Sequence, residues 1–104
     1  MIEFQYFEGC PNAVDTLNNL KHLAAEGFIY ESEIIMTEVP SLSLAEEKNF
    51  QGSPTILYNG YDIYTEAKPE SFCYTCRIYH LDGVTTGILS KEYIKQQIEK
   101  LRKL

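Results

Sequence analysis

The sequence predicts an α/β fold of element order β-α-β-α-β-β-α, a four-stranded mixed sheet covered by helices. Three observations predict it. The chain opens on alternating polar and apolar residues and breaks at Gly9. An apolar pattern of helical period follows at once, and segments rich in β-branched and aromatic residues then recur between helical ones. Strands and helices that alternate in this way pair into a sheet with helices packed on it. Residues 1–104 read as a single domain, without repeat, linker or low-complexity segment.

Residues 2–7 read as the first strand. Cys10-Pro11-Asn12 opens a helix, because proline suits the first helical position, where its missing N–H is not needed. Val14, Leu17, Leu20, Leu23 and Ala24 give that helix an apolar face, and Gly27 stops it. Phe28 to Met36 reads as the second strand, and Pro40 forbids its continuation. Ser43 and Glu46 match a capping box for a short helix over 44–50 that ends at Gly52. The third strand is Pro54 to Tyr58, followed by the tight-turn dipeptide Asn59-Gly60. Residues 61–75 read as loop, Arg77 to Leu81 as the fourth strand, and Asp82-Gly83 as its turn. Ser90 caps a last helix with Ile94, Ile98 and Leu101 on its apolar face.

Net charge is −6, and it is unevenly spread. Five of the nine basic residues (Lys91, Lys95, Lys100, Arg102 and Lys103) fall in the last fourteen positions, where they complement the dipole of the last helix. The first ninety residues hold four basic and thirteen acidic side chains, a surface that repels a phosphate backbone. No nucleic-acid partner is expected. No apolar run exceeds three residues, so no membrane span is expected either, and the start of the chain lacks a basic and apolar leader. The expected location is the cytoplasm. An odd, small cysteine count suits a reducing compartment rather than a disulfide scaffold.

The three cysteines carry the chemistry. Cys10 stands where a strand ends and a helix begins. A thiol there meets the positive end of the helix dipole and free N–H groups, both of which favour the thiolate. Flanking Gly9 and Pro11 predict an exposed loop tip, although a buried, inert cysteine fits the same residues. Cys73-Tyr74-Thr75-Cys76 is a C-x-x-C pair, which can be a redox couple, half a metal site or plain structure. His80 stands four residues after Cys76 and His22 in the first helix; a lone histidine is more often a surface residue than a ligand. Arg77 reads as an exposed salt-bridge partner, and six of the eight tyrosines fall in the second half.

Gly9-Cys10-Pro11 after the first strand, Gly52-Ser53-Pro54-Thr55 before the third, and this element order resemble the thioredoxin-like superfamily. Closer still is the resemblance to small cytoplasmic thioredoxin-fold proteins, some labelled alkylmercury lyase-like. Cys10 to Ala13, Gly52 to Thr55 and the segment around Cys76-Arg77-Ile78-Tyr79 carry it. The resemblance implies a cis Ser53–Pro54 peptide beside Cys10, with Pro11, Ser53, Pro54 and Thr55 lining the substrate site. Ala13 replaces the second cysteine of a dithiol thioredoxin, so Cys10 acts alone or with a distant partner.

Three functions follow as expectations. The first is thiol-disulfide redox or thiol transfer, with Cys10 as nucleophile and Cys73 or Cys76 as resolving thiol. Its partner is a thiol or disulfide substrate, protein or small molecule, and it needs no cofactor and no resident metal. The second is a soft-metal binder that gathers Cys10, Cys73 and Cys76 around mercury, arsenic or zinc. The third is an interaction module that keeps the fold without the chemistry.

Overall fold

Strand β1 (Ile2–Tyr6) runs through the middle of the sheet, parallel to β2 (Ile34–Glu38) on one side and antiparallel to β3 (Thr55–Tyr58) on the other. The two-residue strand β4 (Tyr61–Asp62) closes the order β2-β1-β3-β4. The computed structural model describes residues 1–103 and is a mixed α/β protein with three helices on this four-stranded mixed sheet.

Helix α1 (Pro11–Ala25) starts with Pro11 at its first position, as the sequence predicts. Its buried face is Ala13, Thr16, Leu20 and Leu23, a three-four spacing that turns toward the sheet. Val14 lies about one residue's rotation off that stripe and is 61% exposed, so it is not the core residue anticipated. After a single 3-10 turn at Glu31–Glu33, β2 begins at Ile34, later than Phe28. Helix α2 (Leu42–Lys48) is capped by Ser41, whose hydroxyl accepts from the Leu44 N–H at 3.2 Å. The expected cap at Ser43 lies inside the helix instead, because the extended Ser41 already satisfies the first free donor. Asn49, left-handed at φ 53, ends α2 ahead of Gly52.

The fourth strand of the sheet is β4, in a segment expected to be loop, and not Arg77–Leu81. Asn59 and Gly60 both have positive φ (51 and 88), the two-residue turn that folds β3 directly back on itself. Asp82 and Gly83 (φ 49 and 79) repeat the device between β5 (Tyr79–Leu81) and β6 (Val84–Thr86), which form a hairpin of their own. The same local chemistry thus makes two hairpins, and the first captures the open edge of β3.

Helix α3 (Lys91–Arg102) is capped by Ser90, whose hydroxyl accepts from Tyr93 N–H at 3.1 Å, and buries Ile94, Gln97, Ile98 and Leu101. Ile2, Phe4 and Ile56 of the sheet, Leu20 and Leu23 of α1, and Ile94 and Ile98 of α3 share one core. A second, smaller cluster of Val39, Ala45 and Phe50 packs with Phe7 and Tyr74 at the end of β1 where Cys10 stands. Among the described residues no helix is long and apolar enough to cross a membrane.

Candidate functional site

Ser53 organises the site through its backbone. Its N–H donates to the Thr75 carbonyl (3.0 Å), and its carbonyl accepts from the Arg77 N–H (2.8 Å). These two bonds make a one-residue parallel bridge in which Ser53 faces Cys76. The same carbonyl accepts from the Cys10 thiol at 3.5 Å, and the Ser53 hydroxyl accepts from the Phe7 N–H at 3.3 Å. One residue therefore ties the end of β1, the mouth of α1 and residues 75–77 together. The Ser53–Pro54 peptide is cis, as the resemblance implies.

Gly52 lets the two segments approach. At φ +108 it adopts a conformation side chains avoid, and a Cβ there would stand 3.0 Å from the Thr75 carbonyl and 3.1 Å from the Arg77 Cβ.

Residues 73–77 form a strap held at both ends. The Cys73 N–H donates to the Phe50 carbonyl (2.7 Å) and the Tyr74 hydroxyl to the Val39 carbonyl (3.0 Å). The Tyr74 ring packs edge-on against Phe7. At the other end the Arg77 guanidinium meets the Asp62 carboxylate at 2.7 Å and donates to the Thr55 hydroxyl at 3.0 Å. It also lies over the Tyr79 and Tyr64 rings, 4.7 and 5.4 Å from their centroids. At about 1 kcal/mol per hydrogen bond, the four bonds from residues 73–77 and Ser53 alone make lifting this strap cost roughly 4 kcal/mol.

Both exposure and role of the thiols differ from expectation. Cys10 is 4% exposed, not at an open tip, because Ser53 and its strap cover the mouth of α1. Its side chain makes no capping bond to the helix. Cys76 is exposed. Both cysteines meet at Ser53, Cys10 on its carbonyl and Cys76 opposite it in the bridge. Burial pushes the Cys76 thiol upward, and the neighbouring Cys10 pushes it the same way. Cys73 is exposed and turns to the Thr75 hydroxyl at 3.2 Å.

Comparison of the chain with protein-family models, with curated proteins and with solved structures found no match. The site is therefore read from its own geometry.

That geometry brings two of the cysteines, Cys10 and Cys76, to the same residue, Ser53. Among the described residues no three His, Cys, Asp or Glu side chains converge, so the three-thiol metal set of Cys10, Cys73 and Cys76 is not formed. His80 is exposed and faces Thr85 across its hairpin (3.2 Å), and His22 is exposed in the last turn of α1. Of the residues expected to line a substrate site, Pro11 is exposed. Ser53, Pro54 and Thr55 are buried, and internal bonds engage each of them. Thr55 donates to the Gly52 carbonyl (2.6 Å), and the Pro54 carbonyl accepts from Tyr79. They build the site rather than line it.

Arg77 is buried, not an exposed ion-pair partner. Its partner Asp62, 1% exposed, was not anticipated. Tyr79, buried and donating to the Pro54 carbonyl, was also missed. The signal available was the Arg77-Ile78-Tyr79 alternation, which places both on one face of an extended segment.

Proposed function

We propose that the protein is a thiol-disulfide exchange protein of thioredoxin-like fold whose redox couple is Cys10 and Cys76. One observation carries the reading: the Cys10 thiol donates to the Ser53 carbonyl while Cys76 stands opposite Ser53 in the parallel bridge, so both cysteines meet at one residue. The sheet order β2-β1-β3-β4 and the cis Ser53–Pro54 peptide beside Cys10 support the fold half of it.

Exposure assigns the roles. Cys76 is exposed and meets a disulfide first; Cys10 lies beneath and closes the reaction. Cys10 thus stays in the couple, and the part of first nucleophile passes to Cys76. Cys73 takes no part. The protein works in a reducing compartment, the cytoplasm, where such a couple is turned over.

The test is oxidation of the reduced protein with a small disulfide, followed by digestion without reduction and mass mapping. The expected product links Cys10 to Cys76. A Cys73–Cys76 link, or no internal disulfide, would sink the reading.

A further inference from the structure

An extended peptide that binds by backbone pairing needs a free N–H and a free C=O at a strand edge. Beside Cys10 that edge is Ser53. Both of its groups are already taken, the N–H by Thr75 (3.0 Å) and the C=O by Arg77 (2.8 Å). Residues 75–77 occupy, through a one-residue bridge, the place a substrate peptide would need.

This segment is part of the fold rather than a lid. It is fastened before Cys76 by Cys73 to Phe50 and Tyr74 to Val39, and after it by Arg77 to Asp62. The Tyr74 ring fills the space beside Phe7, and Gly52 has no side chain to hold Thr75 away. Of the two exposed cysteines, Cys73 and Cys76, this leaves Cys76 as the one that stands opposite Ser53 beside the covered Cys10.

We infer that the substrate is a low-molecular-weight disulfide, or the thiol it yields, that reaches the Cys76 sulfur without backbone pairing, and that extended polypeptide disulfides are refused. The inference rests on the exchange reading above. In the step, the Cys76 sulfur gives up its proton and attacks one sulfur of RS–SR. The S–S bond breaks, and the departing thiolate takes that proton as RSH. Cys10 then attacks the Cys76 sulfur, its own proton leaving with the second RSH. One disulfide is reduced to two thiols while Cys10 and Cys76 are oxidised to one disulfide, and two molecules of a small thiol reverse the sequence.

The experiment uses the reduced full-length chain and two probes that share a leaving thiol. One is bis(2-hydroxyethyl) disulfide; the other is 2-mercaptoethanol disulfide-linked to the cysteine of a short extended peptide. Each rate of oxidation is divided by that of free dithiothreitol acting on the same compound. The small disulfide is expected to be favoured about tenfold or more. Hydrogen exchange at the Ser53 and Arg77 amides is expected to be slow throughout. Equal or greater preference for the peptide, or fast exchange at both amides, overturns this assignment alone. Oxidation by neither compound overturns the exchange couple, and this assignment with it.

Discussion

Cys76 lies opposite Ser53 in a one-residue parallel bridge, and the Ser53 carbonyl at its centre also accepts from the Cys10 thiol at 3.5 Å. Sixty-six residues apart in the chain, the two thiols are brought together through one backbone group. Their reactivity follows from that arrangement.

In the folded, reduced protein Cys10 is expected to be the slowest thiol to alkylate near neutral pH, because it is 4% exposed. Cys76 is exposed, but its raised pKa keeps it protonated, so its labelling should climb at a higher pH than that of a free cysteine peptide. Iodoacetamide labelling across pH, with each site quantified by mass spectrometry, checks both. Cys10 labelling as fast as exposed Cys73 in the native state would show that the strap does not cover it.

Cys10→Ser should stop the reaction half-way. Serine has nearly the volume of cysteine but cannot resolve a mixed disulfide, so a small disulfide should leave a stable adduct on Cys76. Cys76→Ser should give neither adduct nor internal disulfide at a comparable rate, whereas Cys73→Ser should behave as wild type. Intact-mass spectra after quenching at low pH read all three. An adduct on Cys10 in Cys76→Ser, formed as fast as the wild type oxidises, would return the part of first nucleophile to Cys10.

Arg77→Met should destabilise the fold by about 3–5 kcal/mol, because it leaves the Asp62 carboxylate buried without its cation. Asp62→Asn in the same background should recover part of that loss by removing the stranded charge. Urea unfolding of the two variants and the wild type measures it. A loss below about 1 kcal/mol, the value of an exposed pair, would mean that water reaches the pair.

Burial holds the Tyr79 hydroxyl protonated far above the ordinary tyrosine range, while its proton goes to the Pro54 carbonyl. The sign is that of an acid whose folded pKa is raised. Its contribution is complete below the unfolded value of about 10 and is lost as pH rises beyond it, by up to about 1.4 kcal/mol per pH unit. Tyr79→Phe should cost about 1–3 kcal/mol at neutral pH, since a buried carbonyl loses its donor. It should also flatten the decline in stability above about pH 10. Thermal unfolding of both proteins from neutral to alkaline pH gives the comparison. Parallel curves would show that Tyr79 ionises in the fold as easily as it does unfolded.

Local signals read correctly wherever one residue's chemistry settles the matter. Pro11 at the start of α1, Ser90 at the start of α3 and the turns at Asn59-Gly60 and Asp82-Gly83 depend on backbone dihedrals and near-neighbour hydrogen bonds. The helical spacing of Leu20 and Leu23, and of Ile94 and Ile98, identifies a core face for the same reason. Short extended segments were harder to place. Tyr61–Asp62 and Tyr79–Leu81 are alike as sequence, and which of them joins the sheet depends on how soon the Asn59-Gly60 turn returns the chain to the edge of β3.

By itself, the sequence determined that Cys10 stands at a strand-to-helix junction and that Pro54 opens the third strand. Only the tertiary structure decided that Cys10 is covered, that Cys76 rather than Cys73 stands opposite Ser53, and that Arg77 is buried on Asp62. The reason is physical. A junction or a turn is made of contacts between residues close in the chain, whereas the pairing of Ser53 with Cys76 is a backbone hydrogen-bond match between segments more than twenty residues apart. Backbone groups are the same at every non-proline position, so their pairing leaves almost no mark on residue identity.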